Sequence, residues 1–221
     1  MSSSSFSRSD RLHRTAQKAR PIPWRAVLAW GGLAALMLVP VAVAAASPLL
    51  QWRDPIYIAG GSAGIAALAL LLVQPLLAGN ALPGLPPRKA RQVHRWVGTA
   101  LLATVLLHIA GLWITSPPDV IDVLLFRSPT PFSVWGALAM WSVIGAAFLA
   151  LFRRRLRVSP RAWRRAHLGL AIITVGGTVA HAMLIEGTMG TVSKATLCAA
   201  VVAATGWIAW RSWRPAQTSK L

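Results

Sequence analysis

The feature that most limits this chain is a succession of six apolar runs, at about 24–46, 56–77, 94–114, 133–152, 165–185 and 191–210. Each is near the roughly 20 residues that a helix needs to cross a bilayer. The expected fold is all-α, an integral membrane bundle of six transmembrane helices. Charged residues make up only 13% of the chain, against about a quarter in a soluble domain. Trp, with 11 copies against one Tyr, suits membrane–water interfaces.

The runs are punctuated by residues that cannot continue a helix. Ser47-Pro48 and Asp54-Pro55 flank the first loop, Pro83, Pro86 and Pro87 the second, and Pro117-Pro118, Pro129 and Pro131 the third. Within the third loop, 120–126 is apolar around Asp122. It reads equally as a short helix on the membrane surface or as an ordered loop. Residues 1–23, rich in Ser and Arg, read as a disordered cytoplasmic tail. The transmembrane domain is expected over 24–211, with a short cytoplasmic tail over 212–221.

A net charge of +18 raises nucleic acid as a partner. The basic residues form no continuous face, however, and cluster between the apolar runs. They read as a topology signal, with the lipid membrane as the partner and no nucleic acid. With the N-terminus inside, 20 of the 23 basic residues fall on the cytoplasmic side, and only Arg53, Arg127 and Lys194 fall outside. The positive-inside rule then predicts a multi-pass plasma membrane protein (inner membrane if bacterial) with both termini cytoplasmic. Ala44-Ala45-Ala46-Ser47 resembles a signal-peptidase site. The apolar stretch before it is longer than the core of a signal peptide, so a retained anchor is expected.

Cys198 is the only cysteine. This excludes an internal disulfide, a cysteine metal cluster and a covalent Cys-x-x-Cys-His haem site. His13 lies in the polar tail, whereas His94, His108, His167 and His181 lie in the third and fifth runs alone. Fourteen positions separate His94 from His108, and the same interval separates His167 from His181. At about 3.6 residues per turn, that interval returns to within about 40° of the same face, about 21 Å further along the axis. The third and fifth helices run in the same direction, so His94 and His167 lie level near the inner surface. His108 and His181 lie level nearer the outer one.

Facing imidazoles on two helices suit the two axial positions of a haem iron. With both positions filled, no site remains for oxygen, and electron transfer is favoured. The competing reading is structural histidines bonded across helices, but ionisable residues within a membrane are functional by default. A two-histidine site without Asp, Glu or Cys is poor for zinc or copper. The expected cofactors are two haem b groups with His94, His167, His108 and His181 as iron ligands. Gly98, Thr104, Ala171, Thr174 and Gly177 share the histidine faces. They offer room for a flat macrocycle or, equally, small-residue helix packing. Arg91, Arg95, Arg164 and Arg165 flank the inner pair. One or two of them, Arg95 and Arg164 foremost, are expected to bind haem propionates, because Arg grips carboxylates bidentately. Trp96 and Trp163 lie within reach of a haem edge, with interface anchoring the better reading.

His94-Arg95-Trp96-Val97-Gly98 with His108, and Trp163-Arg164-Arg165-Ala166-His167 with His181, resemble the ferric reductase-like transmembrane domain. That family includes ferric reductases, NADPH oxidases and the haem subunit of the bacterial periplasmic methionine sulfoxide reductase system. The resemblance covers about 56–210. It implies a six-helix bundle with b-type haems between the third and fifth helices. It also implies electrons passing from a cytoplasmic flavin or NAD(P)H donor to an outer acceptor. The full reductases continue into nucleotide-binding domains, and no Gly-x-Gly-x-x-Gly motif stands in a soluble segment here. Flavin or NAD(P)H is therefore expected to act through a partner, a cytoplasmic flavin reductase. Quinol is the alternative donor, as in a quinol-linked cytochrome b subunit of a respiratory complex. A metal ion, oxygen or a periplasmic protein are the open acceptors. A haem-free transporter or scaffold is the reading from a different class.

Overall fold

Helix starts in this chain are set by proline. The computed structural model describes residues 23–213. Within them α1 spans Trp24–Ala45, α2 Pro55–Ala78, α3 Pro87–Thr115, α4 Pro117–Leu124, α5 Ser133–Leu151, α6 Pro160–Leu184 and α7 Thr191–Trp213. Pro55, Pro87, Pro117 and Pro160 each open their helix, where a missing N–H is harmless. Asp54 caps α2, with Oδ1 accepting from the Ile56 and Tyr57 amides at 2.7 and 3.3 Å. The Ser159 hydroxyl caps α6 by accepting from the Ala162 amide at 3.3 Å. At the far end of α6, the Lys194 ammonium donates to the Ile185 carbonyl at 2.6 Å.

Every described element is helical, and six of the helices are long and apolar enough to cross a membrane. The expected class and span number are thereby met. The tails over 1–22 and beyond 213 lie outside the described residues, with His13 among them. The segment after Pro117 is a helix, α4, with Val120 buried and Ile121 exposed. The main departure is at two helix starts. α3 begins at Pro87, two turns before His94, and α6 at Pro160, two turns before His167. The expected boundaries followed hydropathy and read Arg88, Lys89, Arg91 and Arg161 as loop. A helix crossing an interface keeps its backbone bonds while its side chains become charged, so composition misplaces its end.

The buried apolar core lies along α2 and α7, where Leu77, Leu197 and Val201 are almost fully enclosed. Two antiparallel hairpins frame it: α2 packs along α3, and α5 along α6. α7 packs against α2, α6 and α1. The Trp30 indole ties α1 to the loop after α2 by donating to the Pro83 carbonyl at 3.2 Å. α3 and α6 are not among the helix pairs whose backbones pack closely. Leu106, Leu107, Trp141 and Phe148 are exposed on the outer faces, as expected where lipid is the solvent.

Candidate haem centre between two helix hairpins

The four described histidines lie on α3 and α6, one helix of each hairpin. His94 and His167 face each other with ring centroids 6.4 Å apart and planes 69° apart. His108 and His181 are the next histidines along each helix, about four turns further on. The structure brings the rings of the inner expected pair together.

The partner helix of each hairpin orients its rings. His108 Nδ1 donates to the Gly60 carbonyl of α2 at 2.8 Å. His181 Nδ1 donates to the Phe132 carbonyl at the start of α5 at 2.9 Å. His94 Nδ1 donates to the Gln74 carbonyl of α2 at 3.2 Å. A carbonyl only accepts, so in each of these rings the proton is on Nδ1 and the lone pair is on Nε2. Among the described residues, no Nε2 of the four rings makes a hydrogen bond. A metal-binding histidine characteristically donates its other ring N–H to a carbonyl or carboxylate in this way.

Glycines make the approach possible. A Cβ on Gly64 would stand 2.9 Å from His108 Nδ1, and one on Gly136 would stand 2.7 Å from His181 Nδ1. Gly60 and Gly111 bring α2 and α3 together, since a Cβ on Gly111 would meet the Gly60 Cα at 2.8 Å. The two hairpins repeat this plan. A constant interval of seventy-two positions leads from Gly60 to Phe132, from Gly64 to Gly136 and from Gln74 to Ala146. An interval one position longer leads from Pro87 to Pro160, from His94 to His167 and from His108 to His181.

The fourth ring breaks the pattern. The backbone of Ala146 lies near His167, yet its buried Nδ1 makes no hydrogen bond of normal geometry. Trp163 stacks on it instead, with centroids 5.2 Å apart and planes 10° apart. The indole is held by its own donation to the Leu149 carbonyl at 3.3 Å and by the Arg153 guanidinium 4.5 Å above it. His94 carries an extra tie, because the Gln74 amide also donates to the His94 carbonyl at 3.4 Å.

The donor set fits haem. An imidazole nitrogen sits about 2 Å from a bound metal, so two rings on opposite sides of one ion have centroids on the order of 6 Å apart. The inner pair meets that spacing. Among the described residues no three His, Cys, Asp or Glu side chains gather. The inner pair therefore suits an ion that arrives with its other ligands, as iron does in a macrocycle.

The remaining candidates separate by position. Arg95 and Arg164 are exposed at the arginine-rich end of the bundle, beside the His94–His167 level. Trp96 is 69% exposed and fits interface anchoring. Trp163 does not, being half-buried against His167. Room for a macrocycle is not what Gly177 and Gly98 provide. A Cβ on Gly177 would strike the Trp135 carbonyl of α5 at 2.8 Å, and one on Gly98 would meet the Gln74 side chain at 3.3 Å. Both serve contact within their own hairpin. Thr104 and Thr174 turn their hydroxyls back onto the Ala100 and Leu170 carbonyls. Sequence reasoning missed Gly60, Gly64, Gly136 and Gln74. The interval of seventy-two positions marks Gly64 and Gly136 alone, while Gly60 and Gln74 act through backbone carbonyls that no residue type signals.

Comparison with curated proteins and with solved structures gave no match. The family model described as "Ferric reductase like transmembrane component" matches residues 63–178, more than half of the chain. The match takes in His94, His108 and His167 and stops just short of His181. With its paired histidines on α3 and α6, the chain belongs to the ferric reductase-like transmembrane family.

Proposed function

We propose that this protein is a di-haem b-type transmembrane cytochrome, relaying electrons from a donor on the arginine-rich side to an acceptor on the other. Family membership supports transmembrane electron transfer. The observation that carries the finer reading is the setting of the histidines, with the inner rings facing each other and Nδ1 engaged by a carbonyl in three of four. His94 and His167 would hold one haem and His108 and His181 the other. Haem supplies a one-electron redox centre when bound. By holding each group with two histidines, the chain would orient the centres and shield them from substrate. Arg95 and Arg164, exposed beside the inner pair, would bind the propionates of the inner group, since guanidinium binds carboxylate in a two-pronged fashion.

In the orientation that basic residues favour, the arginine-rich end is cytoplasmic. There Arg88, Lys89, Arg91 and Arg95 of α3 are exposed, as are the arginines between Arg153 and Arg165, at the end where His94 and His167 meet. Such a field draws in an acidic donor, which we take to be a flavin reductase using NAD(P)H. Anionic lipid explains part of this charge as well. A metal ion, oxygen or a periplasmic protein would receive the electrons outside.

A reduced-minus-oxidised spectrum of the purified protein with haem quantitation tests the reading. Two non-covalent b-type haems per chain are expected, and a colourless protein contradicts the proposal. In vesicles, a flavin reductase with NAD(P)H should reduce the haem, and added salt should slow the reaction by screening the arginines. Reduction by NAD(P)H alone at enzymatic rates contradicts the partner reading.

A further inference from the structure

Three of the four histidines share one device, a ring N–H donated to a carbonyl of the neighbouring helix. At His167 the corresponding backbone, Ala146, lies nearby, but Nδ1 makes no hydrogen bond of normal geometry. A ligand ring held less firmly by that bond binds metal less well. Another contact must then help to fix its plane. The only aromatic face laid flat against His167 among the described residues is Trp163, one helical turn earlier on α6. Residues four apart on a helix lie over one another, so the indole covers one face of the imidazole.

The indole is itself immobilised on two sides. Its Nε1 donates to the Leu149 carbonyl of α5, which fixes the ring edge. Arg153, just beyond the end of α5, sits over the ring at 4.5 Å. Such a cation–π contact holds the ring from the exposed side. Arg153, Trp163 and His167 thus form one column from the exposed arginine-rich end of the bundle to the inner pair. By contrast, Trp96, beside His94 on α3, is exposed and has no ring against the histidine. His94 needs none, because Gln74 grips it twice.

We infer that Trp163 is the positioning residue of the inner site, fixing the plane of His167 by stacking where the other histidines use a carbonyl. This rests on the haem reading above. Its consequence is a chemical difference between the two haems. Donation of Nδ1–H to a carbonyl makes an imidazole a stronger electron donor to its metal. The outer site has two such ligands and the inner site one. A stacked ligand is held in plane without that added basicity.

The test uses the full-length protein in detergent with both haems loaded. It compares Trp163→Phe, Trp163→Leu and Trp163→Ala with His167→Ala. Haem content, the low-spin ferric electron paramagnetic resonance signals and the two midpoint potentials are read. The outer haem serves as the internal record of folding. Removal of groups that orient metal ligands weakens affinity about 10–100-fold, so the Leu and Ala variants should retain the inner haem about tenfold more weakly. They should also shift its resonance signal and potential, with the outer signal unchanged. Phe keeps an aromatic face and should stay close to the parent. An unaltered inner signal in Trp163→Ala overturns the inference. Failure of Phe to rescue overturns it as well, since stacking would not then be the operative contact. Loss of both haems in the Leu and Ala variants alike also overturns it, because Trp163 would then be holding the fold. If His167→Ala keeps two haems with parent spectra, the haem assignment itself fails, which separates that error from this one.

Discussion

The hairpins α2–α3 and α5–α6 are built to one plan and finished differently. Each has a proline start, a histidine two turns on and a second histidine four turns beyond the first. Each brings a partner helix whose carbonyl and glycine receive the outer ring. At the outer level the two are nearly interchangeable, with Nδ1–carbonyl distances of 2.8 and 2.9 Å and a glycine against each ring. At the inner level they diverge. Gln74 clasps His94, whereas its counterpart Ala146 has no side chain to do the same, and Trp163 covers His167. Both outer rings are therefore fixed by backbone, which mutation cannot easily remove, whereas the inner site combines a backbone carbonyl at His94 with a side chain, Trp163, at His167.

The largest effect should come from the ligands themselves. His108→Ala and His181→Ala are each expected to remove the outer haem and leave much of the inner one, read as haem per protein and by the surviving spectrum. Full haem content in both variants would break the pairing of the two hairpins.

The next effect sharpens the claim that the outer site is backbone-built. Gly136→Ala and Gly64→Ala place a methyl group 2.7 and 2.9 Å from a ring nitrogen. Forcing an atom into a packed site typically destabilises by about 1–3 kcal/mol. The ring must turn, and its bond to Phe132 or Gly60 must lengthen. Outer-haem retention should fall in both, more for Gly136, whose added Cβ also meets His181 Cε1 at 2.8 Å against 3.1 Å for the other pair. Retention equal to the parent in both would show that the glycines are incidental.

The smallest effect belongs to Gln74→Ala. It deletes the amide that donates to the His94 carbonyl but keeps the Gln74 carbonyl that receives His94 Nδ1. Hydrogen bonds between membrane helices average roughly 0.6 kcal/mol. A slight loss of thermal stability with the inner haem retained is the expected result. A loss of inner haem as deep as that of His94→Ala would mean that the side chain, not the backbone, holds the ligand.

Much of this molecule is legible in one dimension. The six spans follow from run length, and the common face of His94 and His108 from an interval close to four whole helical turns. Family-like motifs around His94 and His167 are equally plain. The helix starts at Pro87 and Pro160 were obscured because the first turns of α3 and α6 are charged, and charge in a membrane protein reads as loop. Gly98 and Gly177 were visible as small residues, but their direction was not. A glycine on a histidine-bearing helix faces either the gap or its own hairpin partner according to how the helices pack.

Residue type and interval along the chain settled the number of helices, the level of each histidine and the end at which arginine gathers, because each depends only on helix geometry and on transfer from water to lipid. Packing of α2 on α3 and of α5 on α6 settled which ring nitrogen stays free. The groups that decide it are backbone carbonyls at Gly60, Gln74 and Phe132. Every residue carries a carbonyl, so nothing in the identity of these three marks them out. They matter because a neighbouring helix passes within about 3 Å, the range of an N–H···O bond.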